Sequence, residues 1–340
     1  MPVDQIDNKT LDHLVHPGGG GSDKNLLIGS DFNTNPKDFG TSSPALANLD
    51  FIANRWQYLK TLSSAIHTGS IVAGEGDGRK ALRLETTTAD AGAAGEFVAI
   101  RQGIEGFKIT PLIDGGAFVS GRIASDVTGI VCFAFQNSGK DRSFVKEIDI
   151  LVADTPQDVA FTVDPLPTDD TGSTWDFDTG VGLNYLITMD AGSTYQTTAD
   201  AWQTGQFFAT ANQVNRNASI GNYIEIDQHQ VEVGATDTGF EFLHEENVLS
   251  KCQRYHEESV DEGHALHNRG ANAFTASIFT QVSFAVSKRS SSLTVVVVGE
   301  FINSLSVADF NRQSFRAAGT ANSVNPAGLT SWIVDNELPY

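Results

Sequence analysis

The chain has 340 residues, 40% hydrophobic and only 19% charged, with 42 acidic against 22 basic side chains and a formal net charge of −20. That length allows two or three domains and a sizeable core. An acidic surface repels phosphate backbones and anionic lipid, so neither nucleic acid nor a membrane surface is an expected partner.

With 32 glycines and abundant Ser, Thr and Asn, the composition reads as all-β with frequent turns. No apolar run approaches the ~18 residues of a membrane span, so no membrane insertion is expected. The two cysteines, Cys132 in GIVCFAFQ and Cys252 in VLSKCQRYH, lie at apolar positions and read as buried free thiols rather than a disulfide framework.

Residues 1–24 form a polar leader ending in HPGGGGSD, whose four glycines make a flexible joint. Ile6, Leu11, Leu14 and Val15 supply one short apolar face there, too little for a stable isolated helix. MPVDQIDNKTLDHL lacks both a basic n-region and an apolar h-region, so it does not read as a signal peptide.

From residue 25, strand signals alternate with turn clusters: ALRLET, EFVAIRQ, AFVSGRIAS, GIVCFAFQ, FVKEIDILV, VAFTVD, GLNYLITMD and YIEIDQHQVEV. Period-2 alternation predicts antiparallel sheets with one buried face each, and this many strands suit a jelly roll. Tyr185 shares the apolar face of its strand and reads as core. A helix is expected near Val248, with Val248, Leu249, Cys252 and Tyr255 on one face and the Phe240–Phe242 pair buried before it.

Beyond 259, TASIFTQVSFAVS alternates again, and SLTVVVVGEF is apolar on both faces. The expected division is a leader over 1–24, a sandwich with its closing helix over 25–259, and a small C-terminal β-domain over 260–340. So small a domain has little core of its own. Leu293, Val295, Val296, Val297 and Val298 are therefore the expected oligomer interface.

Three separated stretches carry a resemblance: NLLIGSDFNTNPKDFG at 25–40, NRWQYL at 54–59, and QVEVG, GFEF and VLSKCQRYH within 230–256. In this order they resemble the tail-fibre and virion-structural proteins of tailed bacteriophages, whose jelly-roll sandwich opens and closes on such motifs. Asn54, Gly239 and His256 depart from the family's usual Asp, Pro and Tyr.

The resemblance implies a non-enzymatic virion protein, made in the host cytoplasm: a tail fibre or receptor-binding protein. It would bind other virion proteins through 1–24, contact host-surface polysaccharide through its β-domains, and assemble as a homotrimer. The alternatives are a head decoration, head fibre or tail adaptor, and a capsule-degrading glycosidase. Lack of a parallel β-helix repeat counts against the last.

No GxSxG elbow, phosphate loop, HExxH or GxGxxG is present, and no cofactor is expected. In the acidic loop DPLPTDDTGSTWDFDTG, hard oxygen ligands at Asp169, Asp170, Asp176 and Asp178 suit a structural Ca²⁺, against the plainer reading of a solvated turn. His256, His264 and His267 raise a metal site in the same way, against a polar linker. Trp175 and Trp202 stand in loop-like settings and, with Tyr195, are the expected carbohydrate-stacking residues; packing is the competing role.

Overall fold

The computed structural model describes residues 24–33, 45–74, 79–169, 171–259, 264–265, 277–289, 293–300, 302–308, 311–321 and 328–335. The expected leader lies outside them except for Lys24, as do Asp170, His267 and the side chains of His264 and Val298.

The first twelve strands are β1 (Phe51–Ala53), β2 (Trp56–Thr61), β3 (Ile66–Ala73), β4 (Lys80–Thr88), β5 (Phe97–Glu105), β6 (Ala117–Ser125), β7 (Gly129–Asn137), β8 (Arg142–Ile150), β9 (Gln157–Val163), β10 (Val181–Ala191), β11 (Trp202–Thr204) and β12 (Tyr223–Val233). Among the described residues they form a seven-stranded sheet, β1-β2-β5-β10-β7-β8-β11, and a five-stranded sheet, β3-β4-β12-β6-β9. Every pairing is antiparallel and the chain crosses repeatedly between the sheets, giving a jelly-roll β-sandwich. Two short helical turns, α1 (Gly106–Ile109) and α2 (Leu112–Gly115), link β5 to β6, and α3 (Glu245–Gln253) follows β12.

Alternation sorts the side chains as the sequence predicts. Val98, Ile100 and Ile104 of β5, Phe133 and Phe135 of β7, and Leu183, Tyr185, Ile187 and Met189 of β10 face Leu82, Leu84, Val119, Ile123, Phe161, Ile224, Ile226 and Val231 in one core.

Two polar pairs cross that core. Tyr58 donates to His67 Nδ1 at 2.8 Å, and Tyr185 to His229 Nδ1 at 2.7 Å. His229 Nε2 lies 2.9 Å from the Arg122 carbonyl, which only accepts, so the proton is on Nε2 and Nδ1 accepts. Each pair ties one sheet to the other. Burial holds both imidazoles down at about 4 and pushes both phenols up. His229 has room because residue 121 is glycine: a Cβ there would meet the ring at 2.8 Å.

Val248, Cys252 and Tyr255 dock with Ile28 and Val181, as the helix pattern predicts, while Leu249 is only half-buried. Arg55 stacks over Tyr255 at 3.6 Å, and Arg254 makes a double hydrogen bond to the buried Glu105, at 3.1 and 3.2 Å. The expected burial of the Phe pair does not hold. Phe240 and Phe242 touch each other at 4.9 Å, but Phe242 is 64% exposed, because its loop runs on the surface before α3. Cys132 and Cys252 are both buried, and neither is in a disulfide.

The remaining strands are β13 (His256–Ser259), β14 (His264–Ala265), β15 (Ser277–Ser283), β16 (Thr294–Glu300), β17 (Ile302–Ala308), β18 (Ser314–Ala321) and β19 (Gly328–Asp335). β19 pairs with β13, β14 and β16, and β18 with β15 and β17. The C-terminal sheets therefore take in His256–Ser259, which the sequence reading placed with the sandwich. Leu293, Val295 and Val297 pack inward on Val282, Phe315, Ala317 and Trp332. Strand alternation turns those three toward the core of their own sheets, where they are half-buried. Val296 alone of the four described valines and leucines points out, 54% exposed and opposite Ile333.

Candidate functional site

The outer face of the seven-stranded sheet is covered. Ser143 Oγ accepts from Phe207 N at 3.0 Å and donates to the Gly205 carbonyl at 2.8 Å, seating the 192–210 loop on β8. Phe208 and Tyr195 then pack on Phe97, tilted and edge-on, with ring centroids at 4.4 and 4.9 Å. Tyr195, expected to contact sugar, is one of the rings that close this face.

The outer face of the five-stranded sheet is a charged ladder. Arg83 pairs with Glu225 at 2.5 Å and lies 4.0 Å over the Tyr223 ring, and Arg122 pairs with Asp158 at 3.4 Å. A cleft of only about 20 Å³ lies beside Arg122 and Glu225, lined in part by Asp227. Both Asp227 carboxylate oxygens are fully shielded and without a hydrogen-bond partner, and burial pushes the acid up to about 6. A group so shielded cannot meet a ligand without movement of the wall.

Trp175 and Trp202 come together, with ring centroids 5.8 Å apart. They meet as packing rather than as a platform. Trp202 opens β11, lies 5.8 Å from Phe144, and donates Nε1–H to the Asp164 carbonyl at 3.0 Å. Both indoles pack half-buried against the sandwich core. A short edge strand leaves a gap between the sheets at β8 and β9, and the two rings fill it. The Trp175 Nε1–H is buried without a partner; we have no physical account of it.

The acidic loop is held by its own backbone: Asp176 Oδ1 accepts from Asp178 N at 2.7 Å, in an Asx-type turn. Asp169 and Asp178 are exposed. Among the described residues no three His, Cys, Asp or Glu side chains converge as metal ligands, so Asp169, Asp176 and Asp178 do not form a centre by themselves.

An open groove of about 480 Å³ is lined by Lys24, Leu26, Phe107, Lys108, Pro111, Glu232 and Val233. Ligand pockets commonly span about 300–1,000 Å³. Its floor follows from the sequence GFKITPL. Ile109 and Leu112, three apart, turn into the core, so Phe107 and Pro111, four apart, share the outer face. Gly106 lies against the Asp176 carbonyl, where a Cβ has no room. Gly106 N and Phe107 N donate to the Gly180 and Asp178 carbonyls at 3.0 and 2.8 Å. The backbone is therefore pinned while the Phe107 ring stays 48% exposed, with Arg254 5.7 Å from it.

The other wall is the end of β12 and the segment beside it. Leu26 N donates to the Val231 carbonyl at 2.8 Å, and the Asn25 side chain exchanges hydrogen bonds with His229 and Val231. Lys24 Nζ is held by the Thr238 carbonyl, the Thr238 hydroxyl and the Gly239 carbonyl at 3.2, 2.7 and 2.8 Å. Glu232 is buried and accepts three hydrogen bonds, from Gln230 Nε2, Thr238 N and Thr238 Oγ1 at 3.1, 3.0 and 2.6 Å. Two of the stretches that carry the sequence resemblance, 25–40 and QVEVG, thus line this groove through Leu26, Glu232 and Val233, yet Phe107 and Pro111 lie in none of them.

No protein-family model matches the chain, and no curated protein sequence does either. Among solved structures it is similar to a family 61 carbohydrate-binding module in complex with β-1,4-galactotriose: 10% identity, TM-score 0.31, covering 62% of this chain and 98% of that one. It is also similar to a family 11 carbohydrate-binding module of a Clostridium thermocellum cellulosomal cellulase, at 14% identity and TM-score 0.31, covering 59% of this chain and 97% of that one. A third is the enzymatically active domain of Bacteriophage CBA120 tailspike protein 4, at 12% identity and TM-score 0.31, covering 62% of this chain and 21% of that one.

Proposed function

We propose that this chain is a glycan-binding component of a bacteriophage virion, acting without catalysis, and that the groove at Phe107 is where the glycan sits. The observation that carries the reading is the amphipathic lining. A pyranose presents one apolar face of C–H groups and a rim of hydroxyls. The groove offers Phe107, Pro111, Leu26 and Val233 for the first, with the polar side chains of Lys24, Lys108 and Glu232 in the same lining. The phage assignment rests on the sequence motifs alone.

In this reading residues 1–24 attach the protein to the particle, as a tail fibre or receptor-binding protein displayed on the virion surface. Weak single-site binding is raised by avidity in a trimer. Val296 and Ile333, paired across β16 and β19 and 54% and 40% exposed, give the C-terminal sheets an apolar surface for a second copy.

The test is retention of the full chain on host-surface polysaccharide. Wild type is expected to be retained and Phe107→Ala released, with no reducing sugar produced by either. Failure of wild type to bind defeats the glycan reading, and reducing-sugar release revives the glycosidase alternative.

A further inference from the structure

We propose that the end of the sandwich farthest from Lys24 docks another protein, one that presents an apolar patch edged by lysine or arginine. The strand directions define that end. β12 runs from Tyr223 to Val233, and its Val231 carbonyl accepts from Leu26 N on the Lys24 side. Its antiparallel neighbours then bring the loops 62–65, 89–96, 126–128, 151–156 and 211–222 together at the far end. Four large aliphatic side chains stand on these loops, Leu62, Leu151, Val152 and Ile220, each between 58% and 81% exposed. Leu62 also sits at a φ of 55°, a left-handed backbone that glycine or asparagine adopts more readily.

These tips are held in place. Asp90 accepts from Ser63 Oγ and Ser64 N at 2.8 and 2.6 Å, and Asp90 N donates to the Asn217 carbonyl at 2.8 Å. Beside Ile220, Gly221 N donates to the Thr86 carbonyl at 2.8 Å. The Tyr223 N–H and hydroxyl donate to Asp126 and Asp154 at 2.8 and 2.7 Å, and Asp154 N donates to the Ser125 carbonyl at 2.9 Å. Tips fixed before a partner arrives lower the ordering cost of binding.

The occupant follows from breadth, chemistry and charge. β2 and β8, which lead into Leu62 and Leu151, are four strand spacings apart, roughly 19 Å. That span fits within a contact of about 800 Å² per partner and is too wide for one sugar ring. The tips are aliphatic, whereas the exposed phenylalanines Phe107, Phe177 and Phe242 lie toward the Lys24 end, so the far end offers no stacking surface to a saccharide. The same loops carry Asp90, Glu96, Asp126 and Asp154. Their single base, Arg216, is fully buried and donates to four backbone carbonyls. Of the adjoining strand ends, β2 brings Lys60, which donates to the Ala65 carbonyl, and β10 brings Asp190. Acids among apolar tips repel anionic lipid and a second copy brought end to end, and attract a partner of opposite sign.

The experiment uses the full chain and two synthetic amphipathic helices with the same leucine face, the opposite face being lysine in one and glutamate in the other. The lysine helix is expected to bind about tenfold or more tighter, and to weaken with added salt. Leu62→Ser, Leu151→Ser and Ile220→Ser combined should weaken it about tenfold, while Phe242→Ser, a similarly exposed site at the other end, should not. All four positions are exposed, so the variants are expected to fold, which circular dichroism checks. Retention of the triple variant on host polysaccharide should be unchanged, which keeps this test separate from that of the groove. No binding to the lysine helix, equal binding of the two helices, or a triple variant that binds as wild type or loses no more than Phe242→Ser would overturn the proposal. A wild-type oligomer that the triple variant dissolves in light scattering would overturn it in favour of a second copy. Adsorption to phosphatidylcholine vesicles that is lost in that variant would overturn it in favour of lipid.

Discussion

The tryptophan edge at β8, β9 and β11 and the open groove at α1 both place aromatic rings in segments that look like loops in the sequence, and they use them in opposite ways. At the edge, Trp175 and Trp202 close a gap that the three-residue β11 leaves between the sheets. At the groove, Ile109 and Leu112 fill the core beneath the turn, and Phe107 is left over. An aromatic in a loop becomes available to a ligand only when something else has already filled the space below it. The difference separates residues that hold the fold from residues that face a partner, and substitutions can probe both sides of it.

Trp202→Ala should have the largest effect. Losing the ring, its contact with Phe144 and its hydrogen bond to Asp164 is expected to cost about 3 kcal/mol in chemical denaturation, the low end for a large packed aromatic. The folded variant should still bind glycan. If stability is unchanged and binding is lost, the comparison is the wrong way round.

Gly121→Ala tests the interior between the two regions. The added methyl meets His229, and about 1–3 kcal/mol should go as the ring and the Tyr185 bond are displaced. A smaller change would mean that the bridge gives way freely.

The same imidazoles set a pH dependence. His67 and His229 are held at about 4 in the fold against 6.5 when free, so unfolded chains take up the protons first. Their contribution is therefore present above pH 6.5 and lost as pH falls toward 4. Asp190 and Asp227, raised to about 6, act oppositely: their part is lost as pH rises from 3.8 to 6. His229→Gln isolates one term. Between pH 6.5 and 4 it should lose on the order of 3 kcal/mol less stability than wild type does. Parallel curves for the two proteins would refute this.

At β16, Val297→Asp should unfold the C-terminal sheets, because Val297 packs on their core, whereas Val296→Asp should leave them folded and dissociate oligomers seen by light scattering. An oligomer that survives Val296→Asp would remove that face from assembly. Phe107→Ala should have the smallest effect on stability, within about 0.5 kcal/mol, while abolishing binding.

Much of the sandwich was legible because each long strand buries one face, and period-2 alternation records that directly. Strand β3 escaped notice because its burial is mixed along IHTGSIVA, and β11 because three residues carry no period. The site was less legible. Trp175, Trp202 and Tyr195 were marked by their loop-like neighbours, but exposure depends on which sheet edge or loop lies over them, and that is tertiary information. Phe107 sits in a four-residue turn, too short for a periodic signal.

Hydrogen exchange on the full chain, with and without saturating host-surface polysaccharide, is the most direct test of where the glycan sits. Protection is expected in the amides of Leu26, Phe107, Lys108 and Val233, with no change across 193–195 and 202–204. Protection at Trp175, Trp202 or Tyr195, with α1 unchanged, would contradict the assignment of the groove.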